Sequence, residues 1–401
     1  MLSQDHIDIV KSTVPLLETA GTTLTEHFYQ RLFRHHPQLQ HVFNMSHQHS
    51  GRQSFALFSA IAAYAKHLDT PEVLADMVER IAHKHSSLNV RAEHYPIVGH
   101  HLIETLRELL PQQFTPEVEK AWVLAYQQLA GLFIGREKAI YQQNEQRLGG
   151  WSGPREFILV EKRIESELVK SLMFEPVDGA PVVDYQPGQY IGIEVQPKGL
   201  EYREIRQYSL SSKPLSHGYQ ISVKREMGDI PGRVSNYLHD DLRLGEQVTL
   251  HAPAGDFFLD DSAAPLILVS AGVGITPMQS MLEYVAEHQP QRPVFFLHAC
   301  EHPAQHSFRR SHQDLARESD VNLYTWYRQN ADDPAAIRAG RIYQGMMELS
   351  HLAVDDLPLA HAQVYLCGPT AFMASICRQL RALGVEAQRI HYEVFGPHQT
   401  L

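Results

Sequence analysis

The sequence predicts a multi-domain chain: an all-α region, then an antiparallel β-barrel, then an α/β region with a parallel sheet. Three observations carry this. Apolar residues recur every three or four positions through residues 1–147, then give way to short alternating runs between about 155 and 260. From Pro265 onward apolar strands alternate with helical stretches. At 401 residues, with 43% hydrophobic side chains, the chain is too long for one core and long enough for two or three.

Composition narrows the partners. The formal charge of −11 is spread along the chain, so no nucleic-acid partner is expected. No window approaches eighteen uninterrupted apolar residues, so no transmembrane segment is expected. Cys300, Cys367 and Cys377 lack C-x-x-C spacing, which excludes a cysteine metal cluster and points to reduced thiols in a cytoplasmic protein. A monomer is expected.

The first region opens with "MLSQDHIDIVKSTVPLL", in which Ser3 can cap a helix whose Ile7, Val10, Val14 and Leu17 share a face. No basic stretch precedes an apolar run there, so a folded helix is expected rather than a signal peptide. "RHHP", "DTPE", "AEHYP" and "LLPQQFTPE" break the helices that follow, and "RLGGWSGP" ends them. The expected domains are 1–147, 148–262 and 263–401.

Three polar side chains interrupt apolar helix faces. His85 lies four residues beyond Ile81 on the stripe of Leu74, Met77 and Val78, whereas His83 falls about 200° round on the wet side. Glu137 lies within the stripe of Val118, Trp122, Tyr126, Leu129, Phe133 and Ile140. Tyr95 heads the stripe of Val98, Leu102 and Leu106. A carboxylate on an apolar face is costly unless paired, so Glu137 is expected to meet Tyr95 and one ring nitrogen of His85. A core histidine satisfied by a neighbour is the ordinary alternative. The carboxylate partner shifts the weight toward a metal-ligating imidazole, whose tautomer such a partner fixes. Across the same cavity, Gln53, Leu57 and Ile61 share a face, and Tyr29 adjoins Leu24, Phe28 and Leu32.

With "HFYQRLF", "HHPQLQHVFNMS" and "IAHKHSS", residues 1–147 resemble a globin, and the whole chain resembles the bacterial flavohaemoglobins. The resemblance implies haem b held by His85, with Tyr95 and Glu137 making the imidazole more anionic. It places Tyr29 and Gln53 on the ligand side, and Phe43, Leu57 and Lys84 beside the porphyrin.

Short strands are expected at "FILVEKR", "QYIGIEV", "YQISVKRE" and "EQVTLHAP". Between them, "REIRQYSLSS", an Arg-x-Tyr-Ser arrangement at the end of a further barrel strand, resembles the flavin site of the ferredoxin–NADP reductase family, supported by "PGQY" before it and "GRVSNYLH" after it. The resemblance assigns FAD to Tyr190, Arg206, Gln207, Tyr208 and Ser209. Arg206 would meet the pyrophosphate, Tyr208 the isoalloxazine and Ser209 the region of N5. Gly232, Val234 and Ser235 open a helix whose N–H groups suit a diphosphate. The loop "KREMGDIPGRVSN" is slightly longer than the family pattern and brings Pro231 beside that contact.

The last region carries strands at "LILVS", "VFFLHA", "NLYTWY", "VYLCG" and "IHYEVF". Gly272, Val273, Gly274, Ile275, Thr276 and Pro277 form a strand-to-helix turn, a cradle for the phosphates of NAD(P)H. Cys367, Gly368 and Pro369 end a strand that, in the reductase family, lies by the nicotinamide. In flavohaemoglobins the residues matching Glu393, Val394, Phe395, Gly396 and Pro397 close the flavin site, the Phe covering the ring and the Glu lying toward haem. A flavin joins the two-electron chemistry of nicotinamide to the one-electron chemistry of iron. The resemblance implies a nitric oxide dioxygenase acting on O2 and NO. A haem-based gas sensor or oxygen-binding protein with a built-in reductase, and a general NAD(P)H-dependent flavin reductase, stand as alternatives.

Overall fold

The computed structural model describes residues 2–43, 52–228, 231–330, 341–352 and 356–396, without the side chains of residues 20, 22, 52–56 and 58. Its contacts divide into two compact units, one of residues 1–154, 192–206 and 250–256, the other of residues 155–191, 207–249 and 257–401.

The first unit is mainly helical. Helix α1 (Gln4–His35) starts where Ser3 caps it, the hydroxyl accepting the His6 N–H at 3.3 Å. It bends at Gly21, whose φ of +46° glycine tolerates best. Helices α2 (Arg52–Lys66), α3 (Ala75–Ser87), α4 (His94–Leu109) and α5 (Pro116–Gln146) follow. Pro116 occupies the first position of α5, behind Thr115, which accepts the Val118 N–H at 3.4 Å. The apolar stripes meet in one core containing Val10, Phe28, Leu32, Tyr64, Leu106 and Trp122. Each such side chain contributes about 1.5–3 kcal/mol by burial. Polar tips are satisfied: Trp122 Nε1 donates to Thr13 Oγ1 at 3.0 Å and Tyr64 OH to the Ala125 carbonyl at 3.1 Å.

Six strands form the antiparallel sheet: β1 (Arg155–Ile164), β2 (Val169–Pro176), β3 (Tyr190–Val195), β4 (Glu204–Ser209), β5 (Tyr219–Lys224) and β6 (Gln247–Ala254). Their order is β4-β3-β6-β1-β2-β5. Fully buried residues fall two apart, as Phe157 with Leu159 and Tyr219 with Ile221 and Val223. A short helix α6 (Arg233–Asn236) precedes β6.

The second sheet is parallel in every described pairing and belongs wholly to the second unit. Its strands are β7 (Leu266–Ala271), β8 (Val294–Cys300), β9 (Val321–Tyr327), β10 (Ile342–Gln344), β11 (Gln363–Cys367) and β12 (Ile390–Glu393). They alternate with α7 (Ile275–His288), α8 (Arg309–Glu318) and α9 (Thr370–Ala382). The order β10-β9-β8-β7-β11-β12 makes the chain leave β7 in both directions, and such a switch point opens a crevice at the strand C-termini. Residues 266–269 are fully buried without alternation, as a strand covered on both faces requires. The strands expected from sequence are present; β2 and β10 are additional. Among the described residues no helix is long and apolar enough to cross a membrane.

Candidate active site

Helix α3 presents His85 to α4 and α5, as its stripe predicts. Nδ1 of His85 lies 2.7 Å from Glu137 Oε1 and 3.0 Å from the Tyr95 hydroxyl, which itself donates to the same Oε1 at 2.5 Å. Glu137 is 2% exposed, so its charge is sustained by these donors rather than by water. A carboxylate acceptor at Nδ1 places the ring proton there, leaving Nε2 as the lone-pair nitrogen. Burial, and secondarily the charge of Glu137, raises the Tyr95 phenol well above its ordinary value, so it stays a donor. The cluster is braced. Phe133 packs 5.7 Å from the His85 ring and 6.4 Å from that of Tyr95, and Tyr126 OH donates to the Tyr95 carbonyl at 2.7 Å.

Tyr29 is buried among aromatic rings, with centroids 5.0 Å from Phe28, 5.7 Å from Phe33 and 5.6 Å from Phe43. Leu57 and Ile61 line a small apolar cavity with Phe28, Leu106 and Trp122. The Gln53 side chain lies outside the described residues, as does Pro397. Lys84 is half-buried between the two histidines of α3.

The expectation for His83 is corrected. Its side chain is 14% exposed, against 30% for His85. The Gly255 N–H donates to His83 Nδ1 at 3.1 Å, and Nε2 lies 3.0 Å from Glu79 Oε1. Arg136 also pairs with Glu79 and holds that carboxyl below its usual range. The wet-side expectation fails because chain from more than a hundred residues away covers this face. The Glu79-to-His83 spacing of four was the available local signal.

In the flavin motif, Gln207 Nε2 is buried with no hydrogen-bond partner among the described residues. An unpaired buried donor costs about 1–3 kcal/mol, so this amide suits an acceptor on a bound ligand. Arg206 stands 2.8 Å from Glu204 Oε2 and donates to the Ile205 carbonyl at 2.8 Å, contacts not anticipated from sequence. Tyr190 and Tyr208 are half-buried, and Ser209 is buried. Gly232 caps the short helix, into which Val234 and Ser235 are buried, the Ser235 hydroxyl donating to the Gly232 carbonyl at 3.3 Å.

Gly272 to Gly274 form a single turn that leads into α7. A Cβ on Gly274 would stand 2.3 Å from the Cys367 carbonyl oxygen, so only glycine lets the turn close on β11. Ile275, Thr276 and Pro277 are buried, with Thr276 Oγ1 donating to the Val273 carbonyl at 3.0 Å, while Gly272 is exposed and Val273 half-buried. That cradle fits a phosphate. Cys367 is fully buried, and burial followed by the charge of Glu393 raises its thiol well above the ordinary range. It is therefore a neutral thiol beside the Gly368–Pro369 turn. Glu393 aligns with Cys367 across the β11–β12 ladder; Val394 and Gly396 are half-buried, and Phe395 is 49% exposed.

Family models match in three places: globin over residues 26–132, oxidoreductase FAD-binding domain over 156–259 and oxidoreductase NAD-binding domain over 268–378. A helical globin, an antiparallel FAD-binding domain and a parallel-sheet NAD-binding domain define an oxidoreductase that joins a globin to a reductase. A flavohemoprotein of Vibrio cholerae is 53% identical over 404 residues, covering 100% of both chains, and one of Rhizobium meliloti is 44% identical over 99% of both. The chain belongs to the flavohaemoprotein family. A crystal structure of Malassezia yamatoensis flavohemoglobin with bound FAD and heme superposes with a TM-score of 0.87 at 26% identity, covering 98% of this chain and 100% of that one. The FAD/NAD-binding domain of a Vibrio cholerae nitric oxide dioxygenase gives a TM-score of 0.57 at 47% identity, over 61% of this chain and 99% of that one.

Proposed function

We propose that this chain is an NAD(P)H-dependent nitric oxide dioxygenase. The observation that carries the reading is the buried His85–Glu137–Tyr95 cluster in a chain that also holds FAD- and NAD-binding domains. When bound, NAD(P)H, FAD and haem b supply a hydride, a two-to-one electron adapter and an iron centre, so that one NAD(P)H and two O2 convert two NO to two nitrate ions.

The residues have separate tasks. His85 holds the iron through Nε2, while Glu137 takes the Nδ1 proton's hydrogen bond and Tyr95 steadies that carboxylate. Tyr29 and Gln53 serve the ligand side, with Phe43, Leu57 and Lys84 against the porphyrin. Tyr190, Arg206, Gln207, Tyr208, Ser209, Gly232, Val234 and Ser235 receive FAD. The 272–277 turn receives the NAD(P)H phosphates, and Cys367, Gly368 and Pro369 border the nicotinamide. Glu393, Val394, Phe395, Gly396 and Pro397 close the flavin site, where an exposed Phe395 ring suits a stacking role.

The domains are proposed at 1–147, 148–262 and 263–401, in a cytoplasmic monomer. The naming of a similar Vibrio cholerae domain as part of a nitric oxide dioxygenase supports the activity. Purified protein carrying haem and FAD, given NAD(P)H and O2, is expected to consume NO and release nitrate. NAD(P)H oxidation without nitrate would leave the general reductase reading instead.

A further inference from the structure

Helix α3 has two working faces. His85 points to α4 and α5, whereas Arg80, His83 and Ser87, spaced three and four apart, lie on another face. That second face meets barrel chain belonging to the same compact unit. Arg80 pairs with Asp256 at 3.4 Å, and His83 Nδ1 accepts the Gly255 N–H at 3.1 Å. A Cβ on Gly192, in β3, would stand 2.3 Å from the Ser87 carbonyl oxygen, so strand and helix end are in closest approach.

His83 is the hydrogen-bonding centre of this seam. Because its Nδ1 accepts from Gly255, its Nε2–H donates to Glu79, and Glu79 is fixed in turn by Arg136. Arg136 and Glu137 are consecutive on α5, so adjacent residues of one helix steady both histidines of α3. The end of β6 is thereby registered on the helix that carries His85.

We propose that His83 is a positioning residue for electron transfer from flavin to iron, acting through Gly255. The proposal rests on His85 holding haem and on the barrel holding FAD. A hydride from NAD(P)H brings the electron pair to the flavin. Each electron would leave singly and reduce one ferric iron to ferrous, and the one proton left from the hydride would go to water.

The test is anaerobic stopped-flow of the haem- and FAD-loaded full chain, following flavin bleaching and the haem Soret shift separately after mixing with NADH. His83→Leu removes both hydrogen bonds. It is expected to leave bleaching at the parent rate and slow haem reduction several-fold. His83→Gln keeps an acceptor for Gly255 and a donor for Glu79, and is expected to restore haem reduction. Hydrogen exchange of the 250–256 segment should quicken in His83→Leu and return to the parent rate in His83→Gln. Should His83→Leu not fold, His83→Asn, too short to span both partners, is read in the same way.

Unchanged haem reduction in the folded variant overturns the proposal. So does equal slowing of bleaching and haem reduction, or failure of the glutamine to restore the rate. If the parent protein itself passes no electrons from NADH through flavin to haem, the functional reading has failed rather than the role of His83.

Discussion

Replacing Glu137 with glutamine keeps the shape of the buried cluster and removes its charge. Two donors converge on Oε1 of this carboxylate, the His85 ring at 2.7 Å and the Tyr95 hydroxyl at 2.5 Å. Hydrogen bonds to a charged group contribute about 1.5–3 kcal/mol and neutral ones about 0.5–1.5, so the substitution weakens the pair by about 2 kcal/mol. A negatively charged partner makes His85 the stronger electron donor, which favours ferric over ferrous iron. If the whole difference acts on the ferric state, the midpoint potential rises by about 85 mV, at 59 mV per tenfold for one electron. Because some of it acts on both states, a rise of about 40–85 mV is expected in Glu137→Gln. The assay is a spectroelectrochemical titration of the ferric/ferrous couple in the folded, haem-loaded variant. An unchanged or lowered potential would refute the reasoning.

Tyr29→Phe removes one donor from the ligand side; oxygen release measured by flash photolysis or mixing should quicken about tenfold to a hundredfold, and turnover at low oxygen should fall. Gly274→Ala forces a methyl group toward the Cys367 carbonyl. The KM for NAD(P)H should rise while the haem spectrum stays unchanged, with a stability loss of about 1–3 kcal/mol. His298 and His312 are fully enclosed in the parallel-sheet domain, and burial pushes both down to about 3 from the ordinary 6.5. Their folded form is neutral, so the stability they contribute is present above pH 6.5 and is lost as pH falls toward 3. Between pH 6.5 and about 5 each costs about 2 kcal/mol, which a pH series of thermal unfolding should show and His312→Gln should lessen.

How far the molecule was legible depends on the range of the forces involved. Glu137 could be read because a carboxylate inside an apolar stripe demands a partner, and the neighbouring stripes offered Tyr95 and His85. Strands such as residues 219–223 were legible from alternation, and residues 266–269 from an unbroken apolar run. Strand β2 is buried along most of its length without clean alternation, and β10 is three residues long, so neither stood out. His83 was misread for a different reason. A helical wheel treats the far side of α3 as solvent, whereas the Gly255 segment covers it, and nothing local to α3 announces that segment. Arg206 is different: its pairing with Glu204, two residues away on the same face of β4, was within reach of strand periodicity and was overlooked because the motif pointed to a ligand.

The most direct measurement is the absorption spectrum of the purified full-length chain beside that of His85→Ala. The parent should show haem and flavin bands in equal amount, and the variant should keep the flavin while losing the haem. A parent without a Soret band, or a variant whose haem content and spectrum match the parent, would contradict the assignment of the iron to His85.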